Sequence, residues 1–167
     1  MKKFKITPEL TIKSKGILLF NELYRKMKWW LDYQGYGDEG KSFKEERYVE
    51  RLKGDAKQLE IKWKAEKLKT EYVSYVIEVA FFVLGLKDIE MERDGQKQKM
   101  NAGEVEIRIN TTLITNKNGK FKEDSFMQNI YENYLIRDEI EDHKIALYEK
   151  VYSFIDEIKA LLEMTIP

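Results

Sequence analysis

The feature that most constrains the fold is the segment at residues 72–86, YVSYVIEVAFFVLGL, which is the most apolar run of the chain. Alternate residues on one side of this segment are all apolar, those on the other side are mostly apolar, and Val, Ile, Tyr and Phe recur throughout. This composition is typical of a central β-strand that is covered on both faces. A buried helix is the alternative, because short apolar runs fit both patterns. We predict a strand that ends, or forms a bulge, at Gly85.

The N-terminal part of the chain predicts a strand followed by a helix. Residues 4–14 form the strand, Pro8 indicates that it lies at a sheet edge, and Gly16 is expected to end it. Apolar residues at a spacing of three to four over residues 17–34 predict an amphipathic helix. Gly35 provides its C-terminal stop, and a loop is predicted to follow at residues 35–41.

Alternating apolar and polar residues predict the remaining strands, at residues 47–53, 59–66, 86–93, 96–100 and 104–115. Asp94-Gly95 is a strong signal for a type I′ hairpin. Other turns are predicted from Gly, Asn and Asp residues at positions 54–55, 101–103 and 118–119.

The last third of the chain is predicted to be helical, beginning at a cap on Asp124 or Ser125 and kinked near residues 137–142. Its apolar stripe repeats every seven residues, at Ile140, Leu147, Phe154 and Leu161. The fold class is therefore a single α+β domain over residues 1–167. A curved antiparallel sheet packs on a long C-terminal helix, and an N-terminal helix follows the first strand. By analogy, this element order is similar to a helix-grip topology.

Several segments resemble a group of small uncharacterised archaeal α+β proteins. They are LYRKMKWWLDYQGY at residues 23–36, LEIKWKAEKL at residues 59–68, the hairpin at Asp94-Gly95, and GEVEIRI at residues 103–109. The resemblance covers most of the chain but consists of core and turn residues. It implies an α+β fold and implies no activity, so no catalytic residue follows from it.

Composition excludes several kinds of site. The chain has no cysteine and a single histidine, His143, so a Cys- or His-rich transition-metal site cannot be built. No serine lies in a G-x-S-x-G motif. We interpret His143 as a solvated helix residue, and the neighbouring carboxylates Glu104 and Glu106 as part of a solvent face rather than an acid–base pair. We therefore expect no cofactor, no metal and no enzymatic activity.

The net charge is zero, but it is unevenly distributed. Residues 1–70 carry 18 basic and 11 acidic side chains, a balance of +7, and residues 71–167 carry the opposite balance. The two halves can neutralise each other by packing together, or the chain can meet an anionic partner or its own copies. This small basic excess argues against a nucleic-acid partner. The N-terminal residues lack a signal peptide's apolar core and no segment is long enough to span a bilayer, so a cytoplasmic location is expected.

Three functional hypotheses remain open, and one of them is a hydrolase or lyase that would use Glu104 and Glu106. The first of the other two is a non-enzymatic interaction or assembly protein that binds a protein partner or self-associates. Its candidate surface combines cations and aromatic side chains on the two helices: Arg25, Lys26, Lys28, Trp29, Tyr148 and Tyr152. The second is a carrier for an apolar small molecule held between the sheet and the C-terminal helix. Its candidate lining is Trp63, Tyr75, Ile77, Phe81, Phe154 and Ile158.

Overall fold

The structure is a computed structural model that describes residues 1–37 and 42–163. Within these residues, six antiparallel strands form one sheet: β1 (Lys2–Lys5), β2 (Leu10–Leu18), β3 (Phe43–Lys53), β4 (Ala56–Leu68), β5 (Val73–Arg93) and β6 (Gln96–Thr115). Three α-helices accompany it: α1 (Phe20–Leu31), α2 (Phe126–Ile130) and α3 (Arg137–Glu163). α1 and α2 end in irregular turns at Asp32–Tyr36 and Tyr131–Leu135, and in the first of these Gly35 has a positive φ of 93°, as expected of a residue that stops a helix. The predicted α+β class is confirmed, and the helix-grip analogy stays a prediction.

The central strand lies where the sequence predicted it, but the predicted cover on both of its faces is wrong, because Leu84 on the outer face is 49% exposed. β5 pairs with β4 on one side and with β6 on the other, and β3 follows β4. β6 in turn carries two short strands on its far side, because β1 pairs with Thr112–Thr115 and β2 with Asn101–Ile109. Residues 73–83 are extended, so the alternative of a buried helix is wrong.

Both α1 and α3 pack on the same face of the sheet. This inner face of β5 is formed by alternate buried residues: Val73, Tyr75, Ile77, Val79, Phe81 and Val83. Phe81 contacts Phe20 of α1 edge-to-face, with ring centroids 6.4 Å apart, and Tyr75 contacts His143 of α3. The sheet thus has one apolar face, and the two helices bury it.

The hairpin between β5 and β6 is confirmed, and its strands are longer than predicted. Asp94 and Gly95 both have positive φ angles, 54° and 77°, as a type I′ turn requires. The register shifts between Leu84 and Lys87, so the predicted bulge at Gly85 is confirmed. The turn predicted at residues 101–103 is wrong, because these residues continue β6 and pair with β2.

The N-terminal boundaries also differ from prediction. The predicted strand over residues 4–14 is two strands, β1 and β2, which are separated around Pro8 because proline cannot donate to a sheet. Gly16 does not end β2 but lies within it, paired with Gly103 of β6. Helix α1 therefore begins at Phe20 rather than at residue 17, and the Asn101 side chain accepts a hydrogen bond of 3.1 Å from the Phe20 backbone N–H.

The remaining predictions differ mainly in extent. β3 begins at Phe43, earlier than predicted, and has a bulge between Glu45 and Arg47. The Ser125 hydroxyl caps α2 by accepting a hydrogen bond from the Gln128 backbone N–H, as predicted. The helical path breaks at Ile136, just before the region where a kink was predicted. Residues 38–41 of the predicted loop lie outside the described residues.

Candidate functional site

The two consecutive tryptophans of α1 point in different directions. Consecutive helix residues are about 100° apart around the axis, so one can be buried while its neighbour is exposed. Trp30 is only 9% exposed and stacks on Phe154 of α3, with ring centroids 4.5 Å apart. Trp29 is 62% exposed and stacks on Tyr33, which is 74% exposed, at 5.5 Å and an interplanar angle of 19°. Two large aromatic rings therefore stand together on the surface.

An apolar groove lies between α1 and α3 beside Trp29. Its volume is about 280 Å³. The side chains that line it, here called the helix groove, are Lys26, Met27, Trp29, Trp30, Phe154, Glu157, Ile158 and Leu161. Trp29 also borders a second cavity of about 250 Å³ on its other side, towards Phe43. The exposed Trp29 side chain thus lies beside two recesses. The surface offers both an apolar group that can insert into a partner and a recess that can bind an apolar group of a partner.

Opposite charges stand on the two walls of the helix groove. Lys26 lies on the α1 wall and Glu157 on the α3 wall, and both are exposed. Neither forms an ion pair with another described residue. Arg25, which was predicted to belong to this surface, pairs instead with Glu22 one turn earlier on the same helix. The groove therefore has a free cation on one side and a free anion on the other.

Lys28 points towards the sheet and is not free for a partner. Its ammonium lies 4.8 Å from the ring centre of Tyr24, 5.8 Å from that of Trp63, and 3.4 Å from the Glu45 carboxylate. Burial acts to lower the pKa of Lys28, but hydrogen bonds and charges from Tyr24 and Glu45 outweigh it, so this pKa lies above its ordinary value. The cluster fixes α1 to β3 and β4, on the side of α1 that borders the second cavity.

Glu45 is the anionic residue of the cluster around Lys28. It accepts hydrogen bonds from the Tyr24 hydroxyl and from the Trp63 indole N–H, the latter at 3.0 Å. Burial raises the pKa of Glu45, whereas these two hydrogen bonds and the charge of Lys28 lower it by more, so the net shift is downward. The carboxylate is therefore held in its ionised form beside Tyr24 and Lys28 of α1.

The six residues predicted to line an internal cavity do not share one among the described cavities. Phe154 and Ile158 border the helix groove. Trp63 and Phe81 are buried and contact each other, with ring centroids 4.7 Å apart. Tyr75 and Ile77 are buried in the inner face of β5. Among the described residues, ring contacts such as that of Tyr75 with His143 occupy part of the space between the sheet and α3, and the carrier hypothesis stays a prediction.

Tyr148 and Tyr152 lie on the exposed side of α3, as predicted, with ring centroids 4.7 Å apart. Tyr148 borders a groove of about 480 Å³ between α3 and the edge strand β1. The side chains that line it, here called the edge groove, are Lys3, Phe4, Lys5, Ile6, Lys144, Ile145 and Tyr148. Pro8 gave a sheet-edge signal for this segment, but the contact between β1 and α3 could not be read from the sequence.

The sequence indicated that His143 is a solvated helix residue, and this interpretation is wrong. His143 is half-buried, and its Nδ1 lies 2.6 Å from the hydroxyl oxygen of Tyr75. Burial, followed by the charge of Lys69, lowers the pKa of His143, and Glu139 and Asp142 oppose this shift. The imidazole is thus held neutral against the sheet, where its hydrogen bond joins α3 to β5.

The carboxylates considered for acid–base chemistry lie on the outer face of the sheet. Glu106 forms an ion pair with Arg108 at 3.2 Å and is paired in register with Lys13 of β2, and Glu104 is paired with Lys15. Among residues 1–37 and 42–163, no group of three or more His, Asp or Glu side chains is arranged to hold a metal ion. None of the helices described combines the length and apolar content needed to cross a bilayer.

Sequence reasoning missed one buried carboxylate, Glu132, in the turn after α2. One of its oxygens accepts a hydrogen bond of 3.0 Å from the Tyr72 hydroxyl, and the other has no partner among the described residues. Burial and then the Glu132 carboxylate raise the pKa of Tyr72. This pair joins the start of β5 to the turn after α2, where the Tyr72 ring also contacts that of Tyr131. The only sequence signal was a single acidic residue within an apolar helical stripe.

Comparison of the chain with protein-family models, with curated proteins and with solved structures gives no match. The resemblance to small archaeal α+β proteins therefore stays a prediction.

Proposed function

We propose that this protein is a non-enzymatic interaction and assembly protein that self-associates through the helix groove. The observation that carries the proposal is the exposed, stacked pair of Trp29 and Tyr33 at the border of an apolar groove. Exposed aromatic side chains beside a recess are typical of residues that contribute most to protein–protein binding. In a dimer, Trp29 of each copy would enter the helix groove of the other.

The charges at the groove favour a second copy as the partner. A two-fold axis that runs along the groove, in the plane of contact, places α1 of one copy over α3 of the other. Lys26 of each copy would then face Glu157 of the other, so both free charges would be paired across the interface.

The size of the aromatic surface predicts a weak dimer. A fully buried Trp or Tyr side chain removes about 150–250 Å² from water. Because Trp29 and Tyr33 are 62% and 74% exposed, the four rings of two copies supply about 400–700 Å². This area is at the low end for specific interfaces, where transient complexes are found. We therefore expect an equilibrium between monomer and dimer that depends on protein concentration.

The decisive experiment exchanges the two charges. Sedimentation velocity over a range of protein concentrations should show that Lys26→Glu and Glu157→Lys each weaken the dimer about tenfold, because each replaces two attractive pairs by two repulsive ones. An equimolar mixture of the two variants should recover association, since each variant supplies the charge that the other lacks. The double variant in one chain should recover it as well.

Trp29→Ser tests the aromatic contribution separately. This exposed substitution should leave the fold intact and reduce dimerisation by at least about tenfold. Phe126→Ser is the matched control, because Phe126 is 76% exposed and lies on α2, outside the helix groove. A chain that stays monomeric at all concentrations and salt conditions, or a dimer that Trp29→Ser leaves unchanged, would refute the proposal.

A further inference from the structure

We propose that the outer face of the sheet carries a binding site for a free α-amino acid with an apolar side chain. The site is a recess of about 200 Å³ over the middle of β5, here called the outer recess. Its lining comes mainly from β4, β5 and β6 and includes Lys62, Glu78, Ala80, Phe82, Arg108 and Asn110. The helix groove lies on the other face of the sheet, so this site does not depend on self-association.

The register of the sheet places two cations on either side of a small residue. Lys62 of β4 and Arg108 of β6 both pair directly with Ala80 of β5, which alternates with the buried residues of the inner face. Directly paired residues point to the same face of a sheet, so all three side chains belong to the outer face. The backbones of β4 and β6 are about 10 Å apart across β5, and the single methyl group of Ala80 leaves the space between the two cations open.

Both cations have donors that no described residue uses. Among the described residues, Lys62 forms no ion pair and no hydrogen bond. Arg108 pairs through Nε with Glu106 at 3.2 Å and with Glu9 at 3.7 Å. Its guanidinium carbon lies 4.9 Å from the ring centre of Phe82, and no described hydrogen bond uses its two terminal nitrogens. A carboxylate between the two cations would therefore accept hydrogen bonds from both side chains at once.

A carboxylate and an amide oxygen lie one step along β5 from this gap. Glu78 is exposed and precedes Ala80 by two residues, which is about 6.7 Å along a strand. Lys64 of β4 pairs with Glu78 in register, but the two form no ion pair, so this carboxylate is free among the described residues. Asn110 pairs with Glu78 from β6, and its Nδ2 donates to Glu9 at 3.0 Å, which leaves its Oδ1 as an acceptor. Both groups would accept hydrogen bonds from an ammonium group.

The other side of the gap is apolar. Phe82 follows Ala80 by two residues on β5 and is half-buried. The order along β5 is therefore a carboxylate, a methyl group between two cations, and an aromatic ring. An amino acid whose carboxylate lies between the cations would direct its ammonium group towards Glu78 and its side chain towards Phe82.

The volume of the outer recess limits the ligand to a small molecule. At about 30 Å³ for each water molecule, the recess corresponds to roughly seven waters. It is smaller than the sites of about 300–1,000 Å³ that hold drug-sized ligands. A single amino acid such as leucine is of the size that it can hold.

Charges of both signs at the border favour a zwitterion over a simple ion. Glu46, from the bulge of β3, adds a second carboxylate that forms no ion pair with a described residue. A simple anion would meet the carboxylates of Glu46 and Glu78. A simple cation would meet Lys62 and Arg108. Each simple ion would thus be repelled by part of the site, whereas an amino acid presents each of its charges to the opposite one.

The test is an NMR titration of the isotope-labelled full chain with four ligands, in which the backbone amide shifts give each Kd. L-Leucine has all three groups, N-acetyl-L-leucine lacks the ammonium group, L-leucinamide lacks the carboxylate, and glycine lacks the side chain. Leucine should shift the amide signals of residues 78–82 on β5. Each of the other ligands should bind about fivefold more weakly, because an exposed ion pair or a buried methylene group contributes up to about that factor.

Variants then assign each contact. Lys62→Gln should reduce the preference for leucine over leucinamide, and Glu78→Gln should reduce the preference for leucine over N-acetyl-leucine, without either variant changing the other ratio. Ala80→Leu fills the outer recess and should remove binding of all four ligands. Lys15→Gln with Glu104→Gln is the matched control, because these residues pair with each other on the outer face beyond the recess and should change no Kd.

Several results would overturn the proposal. Equal affinity for the four ligands, or no shift at residues 78–82, would show that the outer recess does not recognise an amino acid. Inorganic phosphate that binds as tightly as leucine would identify a site for simple anions. Leucine binding that survives in Ala80→Leu would place the ligand outside the recess, and leucine binding that is lost in Trp29→Ser would place it in the helix groove.

Discussion

His143 is the only histidine of the chain, so its titration reports on a single environment. The folded protein holds the imidazole neutral against Tyr75, and burial and then the charge of Lys69 lower its pKa. We expect its ring signals in NMR spectra to titrate below the ordinary value of about 6.5. A pKa at or above this value would contradict the described environment.

The same shift predicts how stability depends on pH. As the pH falls below about 6.5, the unfolded chain takes up a proton at His143 while the folded chain does not, so the free energy of unfolding decreases. The contribution of His143 to the free energy of unfolding is fully present above the pKa that this residue has in the unfolded chain. It is lost as the pH falls towards the pKa that it has in the folded chain. Urea unfolding of the native chain should give a lower free energy of unfolding at pH 5.5 than at pH 7. In the His143→Gln variant this decrease should be smaller, because the part that comes from protonation of His143 is absent.

Phe154 is a second residue whose role can be measured alone. Its ring is fully buried and stacks on Trp30, which attaches α3 to α1. Phe154→Ala should lower the free energy of unfolding by about 3–5 kcal/mol through the cavity that it leaves. The same substitution at the exposed Phe126 should change it by less than about 0.5 kcal/mol. Similar losses in the two variants would show that the α1–α3 contact is not part of the core.

Helical spacing accounts for the different directions of Trp29 and Trp30, because the direction of a side chain on a helix follows from its position. The prediction that Lys28 belongs to the interaction surface is wrong, although its position on the helix is near the surface. The partners of Lys28 are Glu45 and Trp63, which are supplied by β3 and β4, so no local pattern could show that this cation turns towards the sheet.

At the scale of elements, Gly103 allows β6 to pass the bulge of β5. A Cβ atom at this position would lie 3.2 Å from the Leu84 carbonyl oxygen and from the Leu86 Cα, both of which are backbone atoms. Gly103→Ala should therefore lower the free energy of unfolding by about 1–3 kcal/mol, as crowding in packed regions does. Ala102→Ser, one residue away, is the control and should have a smaller effect in the same chemical denaturation experiment.

The close approach of the two strands at Gly103 also explains why the turn predicted at residues 101–103 is wrong. Asn, Ala and Gly form a typical turn signal, but here Gly103 provides space beside the bulge and Asn101 caps α1 through its side chain. Likewise, Gly16 pairs with Gly103 rather than ending β2. Glycine signals a special backbone environment, and only tertiary packing decides whether that environment is a turn or a close approach.

At the scale of the whole molecule, the basic and acidic halves of the chain meet within one sheet. Lys13 and Lys15 of β2 lie opposite Glu106 and Glu104 of β6. Glu104→Gln with Glu106→Gln should reduce the free energy of unfolding by no more than about 1 kcal/mol, because these pairs are on the solvent-exposed face. The loss should shrink in high salt when urea unfolding is repeated there. A decrease of several kcal/mol in the free energy of unfolding would contradict the placement of these pairs on the solvent-exposed face.

The fold class could be predicted from the sequence, whereas the candidate sites could not be predicted completely. Alternation and helical spacing define which side of each element is apolar, and this was enough to place β5 at the centre and α3 over it. The two grooves join residues that are far apart in sequence, such as Trp29 with Glu157 and Phe4 with Ile145. Such contacts depend on how the helices pack, which no local pattern encodes.

The pairing of β2 with β6 has a consequence for synthesis of the chain on the ribosome. Residues 10–18 leave the exit tunnel early, but their partners at residues 101–109 are translated roughly 90 positions later. At about 5–20 residues per second, the early segment waits about 5–20 seconds with its backbone amides unpaired. The lysines at positions 13 and 15 keep this nascent segment hydrated and discourage premature association with neighbouring chains during that interval.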